Sequence, residues 1–456
     1  MSFSTINPST HQVIHQYPFL TPNELEHQLS KAQDRFHHWR RTSFEERATL
    51  LNNAAQLLLD NKNTYAQLIT QEMGKVLPEA ISEIEKCAWV CRYYATHAAQ
   101  LLANESQRTE AIKSYIHYQP LGPILAIMPW NFPFWQVFRF AAPTLMAGNT
   151  TLLKPAPNVP ACALAIEQIF REAGFPEGCF GNLFIDTNTA GDVIKDPRVK
   201  GVALTGSGRA GQVVAAIAGQ ALKPSVLELG GSDPFIVLAD ADVEKAAEIC
   251  VQSRLRNAGQ SCIGAKRIIA VQEVYGEVVN EVFDLVAKVK AGDPMEKGID
   301  IGPMARADLR DKLQQQVEGS VASGARCLIG GQLIEGVGNY YPATMLTDVK
   351  PGMPAFEEEL FGPVFSVIPA KNEIEAIQLA NASSFGLGGA IFTADVVKGE
   401  RIAAEELEAG CCFVNSPVKS DPRFPFGGIK RSGYGRELGA MGIKAFVNAK
   451  TVWVEG

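Results

Sequence analysis

Cys262 closes the stretch RNAGQSC, residues 256–262, between an apolar helix-like segment and the strand-like AKRIIAV. A cysteine is ordinarily a small buried hydrophobe; as a thiolate it is a nucleophile. Asn131 stands in PWNFPFWQVFR, residues 129–139, directly after a strand-like run. It is either a turn former or an amide donor aimed at a substrate oxygen, and the local pattern leaves both open. Gly206, Gly208 and Gly211 of LTGSGRAG match G-x-G-x-x-G, after a strand and before a helix. Such glycines let backbone approach a phosphate, whose charge the helix N-terminus favours. The dinucleotide fingerprint wants an acid about 20 residues on for a ribose. Glu228, in SVLELGGSDP, sits near that place; the plain alternative is a surface salt bridge. Lys154, ending TTLLK, is a solvated lysine or a ligand for cofactor hydroxyls and phosphate.

The elements that position these residues follow from periodicity. Residues 22–60 read as two amphipathic helices, with a longer helical region to about Leu102. In CAWVC, the i, i+4 spacing of Cys87 and Cys91 places both thiols on one buried face. From Leu121, short apolar strands (PILAIMPW, TTLLKP, GNLFID, VKGVALTG) alternate with helical segments such as VPACALAIEQIFREAG. A second alternation follows Gly230, with PFIVL, AKRIIAV, GGAIFT and CCFVN as strands. Such alternation predicts an α/β protein with parallel, doubly wound sheets. Two α/β domains meet near Gly230, with a ligand cleft expected between them.

The chain has 456 residues, 46% hydrophobic and 20% charged, which fits two or three globular domains. A formal charge of -7 excludes the basic stripe of a nucleic-acid binder. No apolar run approaches the roughly 18–20 residues of a membrane helix, and MSFSTINPSTHQVIHQY lacks the pattern of a cleavable leader. A soluble cytoplasmic protein is expected. Nine cysteines do not suggest a disulfide framework, and seven histidines with no HExxH or paired CxxC point to no metal.

Taken together, PWNFP (129–133), LLKPAP (152–157), TGSGRAG (205–211), LELGGSDP (227–234), NAGQSC (257–262), EELFGPV (358–364) and PFGGIKRSGYGRE (425–437) resemble the aldehyde dehydrogenase superfamily across nearly the whole chain. The resemblance implies a Rossmann-type nucleotide-binding domain (1–105 and 122–229), an α/β catalytic domain (230–430) and a small β oligomerisation arm (106–121 and 431–456), in a homodimer or homotetramer. It also implies roles. Cys262 attacks an aldehyde to give a thiohemiacetal, and the Asn131 amide with the Cys262 N–H holds the oxyanion. Hydride passes to a nicotinamide, and Glu228 activates water to hydrolyse the thioester. Glu228 is then a base, not a ribose ligand. The cofactor residues implied are Lys154, Ser207, Glu359, Phe361, Trp130, Gly206, Gly211 and Pro157.

Three further positions are similar to members that oxidise succinate semialdehyde: Arg139, Arg256 and Ser420. Arginine pairs with a carboxylate bidentately, so these imply a clamp for an anionic tail; structural salt bridges are the plain alternative. Glutarate semialdehyde or a neutral aliphatic aldehyde are the other substrates weighed. Many NAD-preferring relatives place a glutamate where this chain has Pro157. Without that carboxylate, NADP is expected to be accepted and preferred over NAD, with Lys154 as the phosphate ligand. Phe140 stands where many relatives have a relay lysine, so no relay through Glu437 is implied. Gly264 replaces a second cysteine of some relatives, and Cys411 and Cys412 read as strand residues. A cysteine hydrolase would need a partner histidine, and none has a recognisable setting. A non-catalytic homologue would not need Cys262, Glu228 and Asn131 together.

Overall fold

The structure, a computed structural model, describes residues 2–456. A hairpin of Ser2–Ile6 with Val13–Pro18 precedes four helices. Pro22–Trp39 and Phe44–Asp60 each begin at a capping box. The Thr21 N–H donates to Glu24 at 2.7 Å and the Glu24 N–H donates back to the threonine hydroxyl at 3.3 Å. Ser43 and Glu46 repeat the exchange at 2.7 and 3.1 Å. Each cap is worth about 1 kcal/mol. The helices Lys62–Met73 and Leu77–Leu101 follow, and in the latter Cys87 and Cys91 are both fully buried.

Strand–helix alternation then builds two sheets. The first runs, in order, Gly433–Tyr434, Ser225–Glu228, Gly201–Thr205, Pro123–Ile127, Thr150–Lys154, Phe180–Asn182. All neighbours are parallel except the Gly433–Tyr434 edge. The winding direction reverses between Pro123–Ile127 and Gly201–Thr205, and ligands bind beyond the carboxyl ends of strands at such a reversal. The PWNFP and TGSG stretches leave those two strand ends.

The second sheet runs Arg326–Ile329, Thr344–Thr347, Val364–Ala370, Ala265–Val271, Asp233–Val237, Gly388–Phe392, Cys411–Val414, parallel apart from its first strand. The chain crosses from one sheet to the other between Glu228 and Asp233. Separate apolar clusters support the two sheets. Lys113–Pro120 pairs antiparallel with Val447–Val454 along its whole length, with Glu105–Ser106 on its other side. The stretch 431–456 is not all one arm. Gly433–Tyr434 joins the first sheet, and the helix Gly439–Lys444 lies against Leu77–Leu101, held by a Tyr94 hydroxyl donating to Gly439 O at 3.1 Å.

Candidate active site

The Cys262 loop is fixed by backbone conformation and by buried polar groups. Asn257, Ala258 and Gly259 are all left-handed, with φ of 57°, 50° and 74°. For non-glycine residues this costs about 1–2 kcal/mol each. Side chains offset the cost: Asn257 Nδ2 donates to Asn131 O at 2.8 Å and to Gln260 O at 3.1 Å. The Asn257 N–H donates to Glu79 at 2.8 Å, and Gln260 Oε1 accepts from the Ala305 N–H at 2.9 Å. Arg254, fully buried, donates to the carbonyls of Val364, Gly259 and Leu360 at 2.6, 2.9 and 2.6 Å. Gly259 admits no side chain, since a Cβ there would lie 2.2 Å from Gly362 O. Cys262 is half-buried, and burial pushes its thiol up to about 12, against the opposing pull of Lys266 and Arg139.

Asn131 is 5% exposed. Gln136 Nε2 donates to its Oδ1 at 3.0 Å, which fixes the amide orientation, and Nδ2 donates to Gln260 O at 3.0 Å. An amide nitrogen carries two protons, so one remains for an oxygen bound beside Cys262. Lys75 Nζ donates to the Asn131 carbonyl at 3.0 Å and pairs with buried Glu83. Glu83 in turn accepts the N–H groups of Phe134 and Trp135 at 2.9 and 3.0 Å.

Glu228 is buried, and neither carboxylate oxygen has a hydrogen-bond partner among the described residues. One oxygen lies against Gly427, where a Cβ would stand 2.5 Å away. Burial, then Glu437, holds the carboxyl well above the usual range; Arg139 and Arg436 oppose this. Arg139 lies beside this carboxyl. It is 2% exposed, forms a buried ion pair with Glu437, and donates to Thr205 Oγ1 at 3.2 Å. Its Nε faces a carboxylate brought in from the C-terminal segment, the salt bridge that is the plain alternative to a clamp. Phe140 packs edge-on to Phe446, with ring centroids 6.1 Å apart.

A cleft of about 670 Å³ opens between the carboxyl ends of the first sheet and the amino ends of the second. Trp130, Asn131, Gly206, Ser207, Cys262, Glu359 and Phe361 are among its lining residues. Ser207 caps the helix Gly208–Gln220, accepting from the Ala210 N–H at 3.3 Å. Beside Gly208 no atom lies within 4 Å of a Cβ, whereas at Gly211 a Cβ would meet Leu229 at 2.6 Å. The first glycine therefore leaves room for a phosphate, and the second permits close packing of helix on sheet. The Trp130 and Phe361 rings meet edge-on at 5.9 Å. Glu359 accepts the Gly231 N–H at 3.1 Å and pairs with Lys266 at 3.3 Å. Lys266 also donates to the Ser261 and Cys262 carbonyls at 2.7 and 2.8 Å. Lys154 and exposed Pro157 follow the strand Thr150–Lys154, beside the cleft rather than in its lining. The open glycine corner, the capped helix N-terminus and the aromatic pair suit a dinucleotide.

Arg256 terminates the helix Val243–Leu255, is exposed, and has no ion pair among the described residues. Buried Ser420 accepts from Lys86 Nζ at 2.8 Å. Sequence reading missed Lys86, Lys75, Glu79, Glu83, Arg254 and Lys266. Only Lys266 left a trace, a charge beginning the otherwise apolar strand Ala265–Val271 next to Arg267.

The model of the aldehyde dehydrogenase family matches residues 1–452. The chain is 50% identical over 454 residues, all of both chains, to a protein of Synechocystis sp. named probable succinate-semialdehyde dehydrogenase [NADP(+)]. It is 46% identical over 458 residues to the succinate-semialdehyde dehydrogenase [NADP(+)] of Mycobacterium avium, covering 100% of this chain and 97% of that one. The fold matches the crystal structure of succinic semialdehyde dehydrogenase from Streptococcus pyogenes in complex with NADP+, with a TM-score of 0.97, 37% identity and full coverage of both chains. With this whole-length match and the Cys262–Asn131 geometry, the chain belongs to the aldehyde dehydrogenase family.

Proposed function

We propose that this protein oxidises succinate semialdehyde to succinate with NADP as the electron acceptor. The observation that carries the substrate is Arg256, an exposed guanidinium with no ion pair among the described residues, acting on Lys86, which holds Ser420. The names of the relatives support the same substrate and nucleotide. Cys262 Sγ, once deprotonated, adds to the aldehyde carbon, and the oxyanion meets Asn131 Nδ2–H and the Cys262 N–H. One such donor is worth about 2.7–4 kcal/mol of barrier. When bound, the nicotinamide supplies the hydride acceptor. Glu228 then takes a proton from the water that opens the thioester, after its carboxyl turns from Gly427 toward Cys262. Ser207 and Gly206 take the pyrophosphate, Glu359 the nicotinamide-side ribose, and Lys154 the 2′-phosphate. Pro157 offers that phosphate no repulsion. We read residues 1–105 and 122–229 as the nucleotide-binding part and 230–430 as the catalytic part.

The test is kcat/KM for succinate semialdehyde, glutarate semialdehyde and butyraldehyde, each with NADP and NAD. The four-carbon acid with NADP should lead. Equal rates for acid and neutral aldehyde would remove the substrate assignment, and a lead for NAD would remove the nucleotide assignment.

A further inference from the structure

The helix Leu77–Leu101 presents Glu79, Glu83 and Lys86 at i, i+4 and i+7, one face of an α-helix. Glu79 holds the Cys262 loop through the Asn257 N–H, and Glu83 holds the Asn131 loop through Phe134 and Trp135. Lys86 is the third member of this row. Its Nζ lies 4.0 Å from the Trp135 ring centroid and donates to Ser420 at 2.8 Å. Neither carboxylate of the row is in ion-pair contact with it: Glu83 is paired with Lys75 and acts on Lys86 from farther away, and Glu79 is engaged by backbone. No ion pair to Lys86 exists among the described residues. Arg256 and Arg139 both act on Lys86 as like charges, and Arg139 acts on Cys262 as well. Arg139 pairs with Glu437; Lys86 and Arg256 have no carboxylate at ion-pair distance among the described residues, and Glu83 and Glu79 act on them only from farther away.

We propose that Lys86 is a specificity-determining residue that contacts the substrate, its ammonium binding the distal carboxylate together with Ser420 and Arg256. This rests on the substrate reading above. A ring contact alone accounts for the position of Lys86, but not for a second cation acting on it while neither has a carboxylate at ion-pair distance. Burial, then Arg256 and Arg139, lower the Lys86 ammonium to about 7, which an arriving carboxylate reverses. Lysine has three protons to donate and Ser420 takes one. The two cations and the hydroxyl together form a site for a carboxylate with several oxygen lone pairs to fill.

The experiment compares wild type, Lys86→Met, Lys86→Gln and Lys86→Arg holoenzymes on succinate semialdehyde and butyraldehyde. Lys86→Met should lower the acid-to-neutral ratio of kcat/KM by about 10- to 100-fold, the range of one charge-assisted hydrogen bond, mainly through KM for the acid. Lys86→Gln keeps a donor for Ser420 without the charge and should show a similar fall; Lys86→Arg should recover part of it. Inhibition by succinate should weaken in parallel, a reading independent of turnover. If Lys86→Met and Lys86→Gln leave the ratio unaltered, Lys86 is structural and the inference fails. A wild-type enzyme that does not prefer the acid instead overturns the substrate reading.

Discussion

At the residue scale, Cys262 and Asn131 divide the chemistry between a nucleophile and a fixed donor. Asn131→Ala should lower kcat by about 100- to 1,000-fold in steady-state assays, since it removes one oxyanion donor. Glu228 carries a stability signature. Its folded carboxyl is raised by burial and by Glu437, so above the ordinary glutamate range the native state binds more protons than the unfolded chain. Stability contributed at low pH is therefore lost as pH rises. Glu228→Gln should melt higher than wild type at about pH 8, with the difference fading toward about pH 4, while thioester hydrolysis fails. Pro157→Glu should raise KM for NADP more than for NAD, measured side by side, because the carboxylate would face the 2′-phosphate. The glycine loop was legible from its place between a strand and a helix, whereas Cys262 and Asn131 stood out only through the resemblance, since their contacts with each other's loops span well over a hundred residues. The partner of Arg139, Glu437, was not legible because it arrives from the far end of the chain.

At the scale of elements, the helix Leu77–Leu101 bears on the site more than its sequence suggests. Periodicity predicts it, and Cys87 and Cys91 show its buried face, but no local pattern says that its acids cap loops from elsewhere. Lys75→Met would leave Glu83 buried without its counter-charge, and breaking such a pair costs about 3–5 kcal/mol. A lower denaturant midpoint together with reduced kcat is expected, as Lys75 also holds the Asn131 carbonyl. Helices were readable from their 3.6-residue period, and the strands before the glycine loop as short apolar runs alternating with helical segments. Val364–Ala370 was not, although it lies inside the second sheet. Ser366 and Pro369 interrupt its apolar run, and a proline within a run argues against a strand.

At the scale of the molecule, two largely parallel sheets face each other by their strand ends across the cleft, and the alternation of strands and helices foretold both. The third sheet is different in kind. Val447–Val454 is its outer strand, with Trp453 43% and Val454 42% exposed. An uncovered strand edge is a template for pairing, and we propose that this one joins subunits in a homodimer or homotetramer. Light scattering should report more than the monomer mass of 49.4 kDa, and Trp453→Glu should shift the distribution toward smaller species. The row of Glu79, Glu83 and Lys86 has a consequence for descent as well as for catalysis. Each member can be exchanged singly, but adding or deleting one residue between Glu79 and Lys86 would rotate every later side chain by about 100° around the helix axis. Homologues of this enzyme can therefore vary the letters of that segment while its length stays frozen.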